Sequence, residues 1–178
     1  MNISQKSTMV AGLLLISAAV AADAPQAILQ TTMLTKVNPQ ALALWDLTND
    51  AQDESGKLDV KKISPATWAQ LIDIGKAIED GGKTLATTGR VIAAPPGAKL
   101  QDEAGPGSSK AADVQRFLDA KPALFRKHAL DLQNTGASIV AAVTQRDGKK
   151  LGQLADALDQ VCEECHVAFW YPQQTPPK

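Results

Sequence analysis

Aromatic residues make up only 4% of this 178-residue chain, and just one of them is a tyrosine. Charge of one sign is also missing: 18 lysines and arginines face 19 aspartates and glutamates, a formal charge of −1. That balance excludes the basic footprint of a nucleic-acid-binding domain. It is too mildly acidic to name a partner. No apolar run reaches the ~20 residues of a spanning helix; the longest, Val10 to Val20, is about a dozen. No alternating strand pattern and no internal repeat is visible. Cysteine and histidine are scarce, two of each, and three of these four residues sit together.

That cluster reads Cys162-Glu163-Glu164-Cys165-His166. It is C-x-x-C-H, the attachment pattern of c-type haem. On a helix, Cys162, Cys165 and His166 share one face, being three and four apart. Two thiols a turn apart can each add to a vinyl group of one porphyrin, and the next residue brings an imidazole under the iron. Glu163 and Glu164 are expected to face solvent. Other readings stand beside this one. The thiols could form a disulfide or a redox pair, although a thioredoxin-type pair belongs beside a βαβ pattern. They could bind zinc, which needs a fourth ligand, and the one remaining histidine is His128.

The N-terminus fits a haem protein exported from the cytoplasm. Lys6 is the only charge before Asp23, and the apolar run ends in Ala19-Val20-Ala21-Ala22. This is the pattern of a secretory signal peptide with an A-x-A-like cleavage site, spanning residues 1–22. Cleavage after Ala21 or Ala22 fits equally. No cysteine follows the run to carry a lipid anchor, and an uncleaved membrane anchor is the alternative. Residues 23–178 remain, about 156 residues, enough for a single core. The expected location is the periplasm. A chain with so few large side chains gains from a broad apolar cofactor in its core.

The mature chain reads as four helical segments. The first starts near Ala24-Pro25, kinks or breaks at Pro39 with Asn38 biased out of the helical region, and resumes through Leu42 and Trp45. Thr48 to Lys62 reads as a loop. The second begins at Ser64, a cap, with Pro65 in the first turn. It carries an apolar stripe through Trp68, Leu71, Ile72, Gly75 and Ile78, with its last turns weakened by Gly81-Gly82. The third opens near Ser108-Ser109, kinks at Pro122, runs through Phe125, Leu132 and Ile139, and stops at Gly148. The fourth runs from about Lys149 to Phe169, with the haem motif on its buried face, and Pro172 follows it. Short loops between long helices favour antiparallel neighbours. The expected fold is therefore all-α, an antiparallel four-helix bundle with one haem held in its interior from the last helix.

A haem motif at the C-terminal end of four helices resembles the class II cytochromes c, the family of cytochrome c′ and its low-spin, methionine-ligated relatives. Two segments carry the resemblance: Cys162 to Trp170, ending in C-x-x-C-H-x-x-aromatic, and Met33-Leu34-Thr35-Lys36-Val37-Asn38-Pro39 with Trp45 downstream. The chain departs from the cytochrome c′ pattern at Trp170, where a basic residue is usual, and at Leu29, where an arginine often precedes the distal residue.

The resemblance implies a one-electron carrier exchanging electrons with other redox proteins. It implies a distal haem face lined by the first helix, and possible pairing of two copies through the first two helices. Met33 is the only methionine left after signal removal, so a thioether ligand would have to be Met33. Its alternative is a packing role. His128, in the charged context Arg126-Lys127-His128, reads as a helix-edge histidine and a rival distal ligand. An open or water-bound iron, which would admit NO or CO, is the third possibility. Trp45, Trp68, Phe125 and Phe169 are expected in the core. Arg90, Lys36 and Lys83 are candidates to pair with a haem propionate, and a solvated charge is the favoured alternative for each. No second polar constellation suggests a general acid or base, so no catalytic residue is expected.

Overall fold

The computed structural model describes residues 26–172, and the expected signal peptide at 1–22 lies outside them. The described chain is mostly helical with one small sheet. Its elements are β1 (Gln26–Ile28), α1 (Leu29–Thr32), a π-helical segment (Met33–Val37), α2 (Asn38–Asp50), a 3-10 turn (Val60–Lys62), α3 (Pro65–Thr87), β2 (Arg90–Ile92), α4 (Ala111–Ala120), α5 (Pro122–Thr144) and α6 (Gly148–Phe169). No helix among the described residues is long and apolar enough to cross a membrane.

The largest helix–helix contact joins α3 and α5. A Cβ placed on Gly82 would lie 2.4 Å from the backbone nitrogen of Gln133, and one on Gly136 would lie 2.4 Å from that of Glu79. At both points the two backbones approach more closely than any other residue permits. Going up α3 from Gly75 to Gly82, the α5 neighbours run down from Val140 to Ala129, so the two helices are antiparallel. This explains why α3 passes unbroken through Gly81-Gly82: the helix-propensity loss there is offset by close packing.

Around this pair, α2 packs on α3, and α6 packs on both α5 and α2. Phe125 near the start of α5 meets Phe169 at the end of α6, with ring centroids 5.5 Å apart, so this pair is antiparallel too. The indole N–H of Trp45 donates to the Ala155 carbonyl at 3.0 Å, tying α2 to α6. One core cluster, with Leu44, Leu71, Ile78, Ile139 and Leu158 fully enclosed, fills this space. A second, around Leu85, Val114, Phe125 and Phe169, lies toward the C-terminal end of α6.

Several boundaries differ from the sequence expectation. The first helix begins at Leu29, because residues 26–28 form a strand, paired in parallel with β2 in the register Ala27 to Val91. Three-residue strands are too short to show a period of two. Pro39 does not break the helix, and Asn38 is helical (φ −57°, ψ −46°). The turn before it widens instead: the Asn38 N–H bonds the Met33 carbonyl, five residues back. A π turn lets the chain accommodate a residue that has no N–H and crowds the preceding turn. Pro122 does not kink a single helix but opens a new one, after Lys121 leaves the helical region (φ −132°, ψ 51°). Gly148 starts α6 rather than stopping α5, whose end is followed by Arg146 at φ 53°. Asp147 caps α6 by accepting from the Lys150 N–H at 2.9 Å. The Ser64 cap is found as expected, accepting from the Thr67 N–H at 3.1 Å.

Gly82→Ala and Gly136→Ala should each destabilise by about 1–3 kcal/mol, because the added methyl meets backbone that cannot yield without separating the helices. Gly152→Ala, whose methyl would meet only Leu58 Cβ at an ordinary 3.8 Å, should be neutral or stabilising by up to ~1 kcal/mol. Urea unfolding midpoints of the three variants test this.

Candidate haem site

Between α6, α5 and the α1–π segment lies a cavity of about 130 Å³, part of it open to solvent. Its lining is almost wholly apolar. Two helical walls contribute in a shared rhythm. From α6 come Val161 and Cys162, Cys165 and His166, and Phe169 and Trp170; from the first helical stretch come Leu29 and Gln30, Met33 and Leu34, and Val37 and Asn38. Each wall presents adjacent pairs four residues apart, one turn above the next. Phe125, His128 and Leu132 of α5 close a third side.

The structure thus brings together Cys162, Cys165, His166 and Met33, all half-buried, around one cavity. Met33 touches both core clusters. It is the first residue of the π segment, and π turns recur at functional sites. Its position is held from outside the helix. The Gln30 backbone N–H donates to the Ala93 carbonyl at 3.0 Å, and the Gln30 side chain donates to the Lys99 carbonyl at 2.7 Å. Ala93 is anchored in turn by Gln115, whose side chain accepts from the Ala93 N–H at 2.8 Å.

Burial sets the electrostatics of the motif. Both cysteines are free thiols. Burial pushes the Cys162 thiol up to about 11, with Asp159 adding to the effect. It pushes Cys165 up to about 12, with a smaller contribution from Cys162. Burial lowers His166 below the ordinary histidine range, against an opposing pull from Glu163. That favours the neutral imidazole, the form that ligates metal. The His166 ring is flanked edge-on by Trp170 at 5.1 Å between centroids and, tilted, by Tyr171 at 5.9 Å. The Tyr171 hydroxyl donates to the Glu163 carboxylate. Burial and that acidic neighbour raise the phenol. Glu163 and Glu164 are exposed, as expected.

One sequence expectation changes here. His128 is not a helix-edge residue: it is 8% exposed, lines the cavity, and meets Phe169 edge-on at 6.3 Å. The charged Arg126-Lys127 pair is exposed beside it, and the helical turn separates their faces. The signal was present, since His128 falls between Phe125 and Leu132 at helical spacing. The three candidate propionate partners follow the alternative reading, a solvated charge. Lys36 is exposed and paired with Asp80 at 2.7 Å, and Lys83 and Arg90 are exposed. None of the three lines the cavity. Phe125 and Phe169 do line it, whereas Trp68 belongs to the other core cluster.

A porphyrin fits this donor set and lining: an apolar slot, two thiols a turn apart on one wall, a neutral imidazole beside them and a thioether on the facing helix. Among the described residues no group of three or more His, Cys, Asp or Glu is arranged to hold a metal ion between its members.

The raised thiols predict an alkaline signature for the reduced, haem-free chain. A thiol whose folded pKa lies above its unfolded value keeps its full contribution to stability below about pH 9 and loses it as pH climbs through the folded values. The haem-free chain should therefore lose stability between pH 9 and 12, and alkylating both thiols in unfolded chain before refolding should reduce that loss, leaving the part that belongs to the raised Tyr171 phenol. Thermal melts across this range check it.

No family model, no curated protein and no solved structure matches this chain.

Proposed function

We propose that this protein is a periplasmic c-type cytochrome of the class II kind. It would hold one haem c by thioether bonds from Cys162 and Cys165, with His166 as proximal and Met33 as distal iron ligand. The fold would be an antiparallel four-helix bundle made by the α1–π–α2 stretch, α3, α5 and α6, with α4 as a side element. The observation that carries this reading is that the C-x-x-C-H side chains and the sole methionine outside the expected signal peptide line one apolar cavity from facing helices. They lie about 130 residues apart in sequence, and nothing in the motif itself requires the meeting.

The haem, when bound, supplies a one-electron ferric–ferrous couple. The chain's own part is to bind, orient and exclude water. A neutral His166 and a thioether opposite it favour ferrous iron and a high potential. The apolar walls keep solvent from rearranging when charge changes, which suits electron transfer between redox proteins. A homodimer through the first helices, which the resemblance implies, would cover Leu34 and Leu42, 51% and 58% exposed.

The test is the mass and visible spectrum of mature protein made with haem-attachment machinery. The expected result is a covalent haem with low-spin bands in both oxidation states. Met33→Ala should convert the centre to high spin and lower its potential by on the order of 100 mV. An unmodified mass removes the cytochrome reading. An unchanged spin state in Met33→Ala removes Met33 as ligand, and a high-spin wild type that binds CO replaces electron transfer with gas binding.

A further inference from the structure

Two buried polar atoms in the described chain have no hydrogen-bond partner, His128 Nδ1 and Trp170 Nε1. Both residues line the haem cavity. Native folds pair nearly all buried polar groups, and each exception calls for an explanation. Two exceptions among the residues that line one largely apolar cavity point to a ligand that brings acceptors. His128 lies on α5, with its ring 6.3 Å from that of Phe169. Trp170 follows Phe169 directly as the cap of α6. Its backbone is pinned by the Ser109 N–H, which donates to the Trp170 carbonyl at 2.9 Å. An indole nitrogen only donates, and an imidazole nitrogen donates when it carries the proton.

We propose that His128 and Trp170 form a clasp that binds the carboxylate side chains of the cofactor, resting on the haem reading above. Thioether formation at Cys162 and Cys165 would consume both vinyl groups. The two propionates are then the strong acceptors left on the ring periphery. No lysine or arginine lines the cavity, so neutral N–H donors take the place that a cation fills elsewhere. Charge-assisted bonds of this kind, N–H to carboxylate, are the stronger class of hydrogen bond. The clasp assigns a role to Trp170, the position at which the chain departs from the usual basic residue.

The experiment is resonance Raman spectroscopy of the purified holoprotein in wild-type, Trp170→Phe and His128→Phe forms, reading the propionate bending modes. Both substitutions keep an aromatic ring and remove the nitrogen. The expected result is a downward shift of a propionate band in each variant, with thioether attachment and iron-ligand bands unchanged. Propionate bands identical to wild type in haem-loaded variants would overturn the clasp and leave the cytochrome reading standing. A wild-type protein that carries no covalent haem overturns both. Trp170 lies at the end of the last helix, so if His128→Phe does not fold, Trp170→Phe alone decides.

Discussion

The close approach of α3 and α5 is the constraint on which the rest of the molecule depends. Gly82 and Gly136 let two backbones meet at van der Waals distance, and the residues around them then have fixed positions. Phe125, His128 and Leu132 project from α5 into the cavity, while Leu71, Ile74 and Ile78 of α3 are fully enclosed. The α6 helix, which carries the C-x-x-C-H motif, packs on α5 rather than on α3. Its distance from the Met33 wall is therefore set both by how deeply α5 sits against α3 and by its own contact with α2. A separation of α3 from α5 by even a methyl group would carry through to the cavity, because close-packed interiors transmit such displacements instead of absorbing them.

How much of this was legible in the sequence depends on the kind of signal. The α3 start was plain because Ser64 and Pro65 act locally, through a cap and a preset φ. The C-x-x-C-H cluster and Met33 stood out because their residue types are rare in this chain, and the structure brings them to one cavity. The π turn was not plain, since Pro39 alone predicts a kink. Only the tertiary packing of Met33 and Val37 favours widening the turn over breaking the helix. Gly148 misled for a similar reason. Its lack of a side chain answers to Val60, whose methyl would lie 2.4 Å from an added Cβ, and not to a helix end. His128 was hidden by its neighbours' charge, although its spacing from Phe125 and Leu132 placed it on the apolar face.

The small parallel sheet also acquires a purpose from this arrangement. The first turn of the helical stretch that runs from Leu29 to Asp50 is its free end, and helix ends fray. It is held at one end by β1 pairing with β2 and at its side by Gln30 bonding to Ala93 and Lys99. Met33 follows immediately. The Met33 side of the cavity is thus held by the segment after α3 as well as by the helix in which Met33 lies.

That clamp bears on the proposed function more than the identity of the distal donor does. A thioether that can swing away makes a centre whose coordination changes with oxidation state, and each electron then waits for the ligand to return. A thioether fixed from two directions makes a centre that changes little. Here one direction is the sheet and Gln30, acting on the backbone before Met33. The other is the π turn, whose Asn38 N–H closes on the Met33 carbonyl itself. Both grip Met33 through backbone atoms and leave its sulfur free of any hydrogen-bonding duty. Those restraints fix the Met33 backbone and not its flexible side chain. Under the proposed function the sulfur must therefore be ordered by the packing of Met33 against both core clusters.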